Sequence, residues 1–242
     1  DHPRGFVVAH VSSLTPPRGL ARRWLLALRN VGIGALLLAA TLLVLGFLTL
    51  TSAHAQSKPE LRIGYQKSAS LFVLQKAQGT LEKSLAPLGF GVKWVEFPAG
   101  PQLLEGLNVG AVDVGYVGEA PPIFAQAAGA KFVYIGHDPA APQAEAILVT
   151  KDSPIKTVAD LKGKKIALNK GNNVHYLLVR VLEQHGLKIT DVQPVYLAPA
   201  DGRAAFESKN VDAWVIWDPF QAAAEKTAGA RVLADGTGVV NN

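Results

Sequence analysis

The chain has 242 residues, of which 49% are hydrophobic and 18% are charged, and its formal net charge is +5. This length is sufficient for one sizeable hydrophobic core or two smaller ones. Because the sequence contains no cysteine, disulfides, thiolate nucleophiles and cysteine-based metal sites are excluded. It also contains no methionine, and we therefore expect a processed or trimmed N-terminus, or a fragment.

The first 55 residues have the pattern of a secretion signal. Four arginines between Arg18 and Arg29 precede an uncharged apolar run at 31–50, and Ala53-His54-Ala55 follows it. Basic residues, an apolar stretch and a small-x-small site occur in this order in signal peptides, which predicts a signal peptide at 1–55 that is cleaved after Ala55. The alternative is a transmembrane anchor, because twenty apolar residues can span a bilayer.

The positive charge of the chain is concentrated in this leader. Residues 1–55 contain five of the 24 basic residues but only Asp1 of the 19 acidic ones, which leaves 19 basic and 18 acidic residues in the rest. The remaining chain is nearly neutral, so its charge gives no indication of nucleic-acid binding.

Strand-like and helix-like patterns alternate after the polar residues 56–60. Leu61–Tyr65 is typical of a buried strand, and Gly91–Phe97 alternates with the period of two that strands have. Pro101 suits the first turn of a helix that ends at Gly110. The predicted elements are strands at 61–65, 91–97, 112–117, 131–136 and 145–150, and helices at 71–85, 100–110 and 121–130.

A second set of elements begins near Asp152, and the polar segment Val149–Ile155 is predicted to be the crossing between the two sets. The predicted helices are at 157–164, 173–185, 200–210 and 219–229, and the strands are at 165–168, 192–197, 211–217 and 230–234. This alternation predicts an α/β fold of two lobes, 56–149 and 150–236, each a mostly parallel sheet flanked by helices.

Four turns at the predicted carboxyl ends of strands have features of an anion site. Ligands bind at this edge of open α/β sheets, and helix N-termini there offer unpaired N–H donors and a partial positive charge. Several such turns that converge could bind an oxyanion. The turns are residues 64–68, 97–102, 115–119 and 171–173. Glycine and asparagine at such turns are also ordinary helix-capping residues.

Several motifs together resemble the aliphatic-sulfonate-binding proteins of bacterial ABC importers. The motifs are "LRIGYQKSA", "EFPAGPQLLEGLNVG", "PPIFAQAAGA", "SPIKTVADLKGKKIAL", "LAPADGRAAFESKNVDAW" and "IWDPF". The resemblance covers nearly all of 61–236 and implies a periplasmic binding protein of type II architecture, whose two lobes close on a ligand like a hinge. It also implies a small alkanesulfonate ligand, an inner-membrane ABC permease as partner, a monomer when complete, and no cofactor, metal or catalytic residue.

The resemblance implies ligand-binding residues on both lobes. On the first lobe they are Gln66, Lys67, Ser68, Gly100, Pro101, Gln102, Gly118 and Glu119. On the second lobe they are Gly171, Asn172, Asn173, His175, Asp201 and Trp217. The sulfonate is expected on N–H groups at the helix starts, with Trp214 or Trp217 beside an alkyl chain. Since the two tryptophans lie three apart in a strand, they point to opposite faces, and Trp217 is the better candidate for the cleft.

The chain departs from the family pattern at two places. The family more often has two serines where this chain has Asn172-Asn173, and usually an aspartate at Glu119. An asparagine carbonyl oxygen repels an oxyanion unless it is turned away, so taurine, nitrate or a sulfate ester stays open as the ligand. An enzyme on the same fold, such as a pyrimidine-precursor synthase, is a further alternative, but it requires a convergent nucleophile or acid/base pair, which we do not find.

The family resemblance also predicts that the chain is truncated at its C-terminus. In that family the chain returns to the first lobe after the segment that matches 231–237, and residues 237–242 would be the start of this return crossing. The absent part would cover apolar surface on the first lobe, so we expect residues 56–242 alone to be less stable than a complete protein. A membrane is expected to be involved only through the signal peptide or through docking to the permease.

Overall fold

The computed structural model describes residues 58–240. The predicted signal peptide at 1–55 lies outside these residues. Within 58–240, no helix is long and apolar enough to cross a membrane.

The first lobe consists of a small parallel sheet and four helices. Strand β1 lies in the centre, between β2 and β3. The elements in chain order are β1 (Glu60–Tyr65), α1 (Ser70–Gln78), α2 (Thr80–Leu85), β2 (Gly91–Glu96), α3 (Gly100–Asn108), β3 (Val114–Gly115) and α4 (Ala120–Ala127). Each sheet strand is followed by a helix, as the alternating pattern predicts.

Helix α3 packs closely on the centre of this sheet. Gly64 and Gly115 face each other in register on β1 and β3, and the Leu103 side chain lies directly over both. A Cβ atom at Gly64 would lie 3.1 Å from Leu103 Cγ, which is tighter than ordinary van der Waals contact. Glycine is therefore needed at this strand pair for the close approach of the helix.

An ion pair joins β1 to the loop before β3. The Arg62 guanidinium donates to both carboxylate oxygens of Asp113, through Nε at 3.0 Å and Nη2 at 2.5 Å. The Arg62 backbone N–H also donates to Asp113 Oδ2 at 2.8 Å. These hydrogen bonds hold the pKa of Asp113 below its ordinary value. The contact links β1 to the loop that leads into β3.

The second lobe contains a five-stranded mixed sheet in the order β6-β5-β7-β4-β8. Strands β5, β6 and β7 run parallel, and β4 runs antiparallel to β7 and β8. The elements are β4 (Glu145–Val149), β5 (Lys165–Leu168), α5 (Asn173–Gln184), β6 (Gln193–Tyr196), α6 (Pro199–Glu207), β7 (Ala213–Trp217), α7 (Phe220–Ala228) and β8 (Arg231–Asp235). Short 3₁₀ turns at Val158–Leu161 and Ile189–Asp191 connect them.

One strand lies in a different lobe from the one that the sequence predicts. We expected Glu145–Val149 in the first lobe, with the crossing after it, but the structure pairs this strand with β7 and β8. All five of its residues are buried, which shows that both faces of the sheet are covered at this strand. The crossing from the first lobe to the second therefore precedes Glu145.

The predicted strand at 131–136 is not formed. These residues have no regular secondary structure, and Val133, Tyr134 and Ile135 are 81%, 64% and 77% exposed. No described strand lies beside them to pair with their backbone, which explains why an apolar strand-like sequence stays irregular here.

The main hydrophobic core belongs to the second lobe. Helix α5 buries one face against the sheet, through Val174, Leu177, Leu178, Val181 and Leu182. These residues recur with the three- and four-residue spacing of a helix that packs on a sheet. The core fixes helix α5 firmly, and its first residues therefore have a defined position at the edge of the sheet.

Candidate functional site

The first turns of several helices meet between the two lobes. The loops after β1, β2, β3 and β5 lie at the carboxyl ends of these parallel strands, where ligands bind in open α/β sheets. A Cβ atom built on Gly118 of the first lobe would lie 2.9 Å from Asn173 Oδ1 of the second. Ala99, at the start of α3, is part of the second lobe's core. We call the space around these contacts the cleft.

The start of helix α5 is shaped by its two asparagines. Asn172 is the N-cap, and its Oδ1 accepts a hydrogen bond of 2.7 Å from the Asn173 N–H. Its amide nitrogen donates to Asn169 Oδ1 at 3.4 Å. The side-chain carbonyl oxygen of Asn172 therefore already accepts a hydrogen bond within its own turn. The Val174 N–H has no hydrogen-bond acceptor among the described residues, as is usual in the first turn of a helix, and the residue itself is buried.

The Gly171 turn brings a histidine close to the cleft. Gly171 has φ +71°, a left-handed conformation that glycine adopts without strain, and its N–H donates to His175 Nδ1 at 3.3 Å. The His175 ring meets Tyr196 edge to face, with 5.7 Å between the ring centroids. Burial, and then the charge of Lys170, lower the pKa of His175. The ring is therefore neutral at physiological pH and accepts from the turn.

Asn173 connects the cleft to a buried acid. Its Nδ2 donates to Glu145 Oε2, and Glu145 is fully buried as the first residue of β4, opposite Trp217. The other carboxyl oxygen of Glu145 has no hydrogen-bond partner among the described residues. The pKa of Glu145 is raised to about 7, mainly by burial. The hydrogen bond from Asn173 opposes this shift, and the nearby charge of Glu119 adds to it.

A raised pKa of this acid has a consequence for stability. Glu145 ionises near 4.5 in the unfolded chain and near 7 in the fold. The folded state therefore holds this proton more tightly, and the stability that this gives is lost as the pH rises from 4.5 through 7. The Glu145→Gln variant has no such ionisation. We expect the melting temperature of the wild type to fall by a few degrees relative to the variant between about pH 4.5 and pH 8.

Circular-dichroism melts of both proteins over this pH range would measure the difference. The exposed Glu183 on helix α5, which pairs with Arg180 at 2.6 Å, provides a matched control. Glu183→Gln should follow the wild type at each pH. A wild-type curve parallel to that of Glu145→Gln would show that Glu145 does not ionise within this range.

The predicted residues of the first lobe lie around the same contacts. Gln66 is buried, and its Nε2 donates to the Tyr116 carbonyl at 3.0 Å, which ties the turn after β1 to the turn after β3. Lys67 lies across the cleft from Phe220, with its Nζ 5.9 Å from the ring centroid. Ser68 is half-buried, two residues before the start of helix α1.

The start of α3 packs against the start of α4. A Cβ atom on Gly100 would lie 2.8 Å from Pro121 Cγ, so this glycine allows the two helices to approach. Pro101 follows in the first turn of α3, and Gln102 is exposed. Glu119 is exposed directly before α4.

Trp217 and Asp201, the two remaining predicted residues, differ in position. Trp217 is only 5% exposed at the end of β7, and its ring meets Phe220 edge to face at 6.4 Å. Trp214 is also buried, against Phe206. Asp201 is exposed in the first turn of α6 and makes no side-chain hydrogen bond with a described residue, so no contact connects it to the cleft.

Sequence reasoning missed Glu145 and Phe220. The signal for Glu145 is a single acid at the start of an otherwise apolar strand, "EAILV". Phe220 follows the Trp217 turn directly, and its proximity to Lys67 depends on the packing of the two lobes.

An apolar groove opens beside the cleft. It runs between helices α4 and α5, and its wall includes Glu119, Ile123, Phe124, Tyr176 and Val239. Because Glu119 follows Gly118 directly, the groove begins where the two lobes meet. Among residues 58–240, no group of three or more metal-ligating side chains occurs.

These features define the class of protein. Two α/β lobes that meet at the carboxyl ends of their parallel strands form the type II architecture of periplasmic binding proteins, as predicted. Residues 89–241, more than half of the chain, match the family described as "NMT1/THI5 like". The chain therefore belongs to the NMT1/THI5-like family.

Relatives and solved structures give a narrower comparison. The alkanesulfonate-binding protein SsuA from Xanthomonas axonopodis pv. citri, solved with MOPS, has a TM-score of 0.71 and 54% identity, over 74% of this chain and 61% of that one. The periplasmic aliphatic sulphonate binding protein SsuA from Escherichia coli has a TM-score of 0.66 and 58% identity, over 76% and 63% of the two chains.

A further relative from Escherichia coli (strain K12), which carries the name of an aliphatic sulfonates-binding protein, is 60% identical over 184 residues. These residues are 76% of this chain and 57% of the relative. The chain thus spans little more than half the length of this relative. The resemblance to aliphatic-sulfonate-binding proteins that the motifs predict is confirmed.

Proposed function

We propose that the chain captures an aliphatic sulfonate in the cleft, as part of a periplasmic binding protein that delivers the ligand to an ABC importer for sulfur acquisition. The observation that supports this most directly is the meeting of the α5 N-terminus with the Gly118 turn. A helix N-terminus favours an anion through its free N–H groups and its dipole.

The chemistry of a sulfonate suits such a site. The group stays ionised over the physiological pH range and offers three oxygens as hydrogen-bond acceptors. The Val174 N–H on α5 is a candidate donor, and the predicted glycine turns of the first lobe supply further backbone N–H groups. Lys67, exposed above Phe220, adds positive charge on the open side. Binding by donors from both lobes would hold the lobes closed.

The carbon chain of the ligand has a separate place. We assign it to the apolar groove between α4 and α5, where Ile123, Phe124 and Tyr176 form the wall. This differs from the predicted role of Trp214 and Trp217, because both rings are buried. An apolar groove beside polar donors is the usual arrangement of small-molecule sites.

We infer further that the protein returns its ligand unchanged. It would be exported to the periplasm by the predicted signal at 1–55 and dock to an inner-membrane permease as a monomer. The relatives that it matches are binding proteins by name, which supports binding without catalysis.

Calorimetric titration of the purified chain with ethanesulfonate tests this function, with taurine, nitrate and sulfate as comparisons. We expect one-site binding of ethanesulfonate and at least about tenfold weaker binding of nitrate and sulfate, because neither has a carbon chain to fill the groove. A stronger response to taurine or nitrate would assign the site to a related anion. The absence of any response from a cooperatively melting protein would overturn the proposal.

A further inference from the structure

The amide of Asn173 has a defined orientation in the cleft. Its Nδ2 donates to the carboxylate of Glu145, and its Oδ1 is the amide atom nearer to Gly118, at 2.9 Å from the position of a Cβ there compared with 3.5 Å for Nδ2. A carbonyl oxygen in this position repels the oxygens of a sulfonate. The arrangement that satisfies the buried acid is therefore the less favourable one for an anionic ligand.

Protonation of Glu145 allows the opposite arrangement. An ionised carboxylate only accepts hydrogen bonds, whereas a protonated one carries an O–H that can donate. The protonated acid would donate to Asn173 Oδ1 if the side-chain amide of Asn173 rotates by 180°. This rotation exchanges the amide oxygen and nitrogen with almost no change of shape. The Asn173 Nδ2 would then face Gly118 as a hydrogen-bond donor.

Several features of Glu145 support such a change. The residue is fully buried, one of its oxygens has no partner among the described residues, and an isolated buried charge is costly. Its pKa of about 7 means that both forms are populated near neutral pH.

Other titratable groups lie on or next to the elements around Glu145. Glu119 precedes helix α4 and raises its pKa. His175 lies two residues after Asn173 on α5, with Lys170 before that helix. Asp218 follows Trp217, the strand partner of Glu145. A bound anion adds one more negative charge near Glu145, which favours the neutral, protonated form of this acid.

We propose that Glu145 is a positioning residue for sulfonate binding, because its protonation turns the Asn173 amide so that Nδ2 faces the cleft. Sulfonate affinity then rises as the pH falls, although the sulfonate itself does not titrate. This inference rests on the proposed function. It adds a residue, Glu145, that does not touch the ligand but orients the Asn173 side chain that does.

The test is calorimetric titration with ethanesulfonate from about pH 5.5 to about pH 8.5, a range that brackets a group that titrates near 7. We expect the wild type to bind at least about fivefold more tightly at the acid end. Glu145→Gln should bind with the same affinity at every pH, near the acid value of the wild type, because the glutamine amide can donate to Asn173 Oδ1 permanently.

Two further variants separate Glu145 from other titrating groups. Glu183→Gln, at an exposed position of the same helix, should keep the wild-type pH dependence. His175→Gln should keep it too, and a pH dependence that disappears in this variant would assign the effect to the histidine and overturn the proposal. Equal pH dependence in the wild type and Glu145→Gln would overturn it as well.

Other outcomes are equally decisive. Tight binding by the wild type with no pH dependence overturns the role of Glu145 but leaves the proposed function intact, whereas no sulfonate binding at any pH overturns both. If Glu145→Gln does not fold, the ¹⁵N–¹H signals of the Asn173 side-chain amide in the wild type provide the second readout. They should shift with the same midpoint as the affinity, and pH-independent signals would refute the amide rotation.

Discussion

Replacing Gly118 with alanine should weaken ethanesulfonate binding by about ten- to a hundredfold. The added Cβ would lie 2.9 Å from Asn173 Oδ1 and 3.0 Å from its Cγ, a distance that forces the two lobes or the asparagine side chain to move. Overpacking of this kind costs about 1–3 kcal/mol, and each 1.4 kcal/mol is about tenfold in affinity. The loss would appear in calorimetric titration as a higher Kd.

The chain contains a matched control for this substitution. Gly136 has no atom within 4 Å of the position of a Cβ, and neither Gly118 nor Gly136 has a positive φ. Alanine is therefore compatible with the backbone at both positions. Gly136→Ala should bind like the wild type. Wild-type affinity in Gly118→Ala would mean that ligand binding does not depend on the contact between Gly118 and Asn173.

Replacing Trp214 with alanine should lower the free energy of unfolding by about 3–5 kcal/mol, the usual range for a large aromatic residue removed from a core. The side chain is 1% exposed in the centre of the second sheet and lies 5.9 Å from the Phe206 ring, centroid to centroid. A Cβ on Gly202 would lie 2.7 Å from Trp214 Nε1, so helix α6 packs directly on the indole. Urea denaturation followed by far-ultraviolet circular dichroism measures the loss.

An exposed aromatic residue provides the comparison for Trp214. Tyr134 is 64% exposed, so Tyr134→Ala should change the free energy of unfolding by less than about 0.5 kcal/mol. If Trp214→Ala costs less than about 1 kcal/mol, the indole does not support the core as the structure places it.

Local patterns predicted most of the helices, from a periodic apolar face or from a recognisable start or end. Helix α5 is an example, since its buried residues recur at helical spacing and Gly171 and the two asparagines precede it. The strand at Glu145–Val149 was predicted as a strand but placed in the wrong lobe. Strand pairing depends on partners distant in the chain, here Ala213–Trp217 and Arg231–Asp235, and a single strand carries no local signal of its neighbours.

The candidate site shows the same limit. The turns that meet in the cleft were predicted from their glycines, their polar residues and the family resemblance. The contact of Asn173 with Glu145 was not, because these residues are 28 positions apart and belong to different elements. The orientation of the Asn173 amide follows from that contact alone. Sequence reasoning could note that an asparagine carbonyl repels an anion, but it could not determine which way the carbonyl points.

Amide NMR during an ethanesulfonate titration tests the location of the ligand most directly. We predict that the ¹⁵N–¹H signals of Gly118, Glu119, Asn173 and Val174 shift together and saturate with one Kd, while that of Gly136 stays unchanged. A separate groove lies elsewhere on the second lobe; it is lined by Lys151, Arg203 and Lys209, and Glu207 and Asp152 pair with the last two. Shifts confined to that groove, with none at Gly118 or Val174, would contradict a sulfonate site between the two lobes.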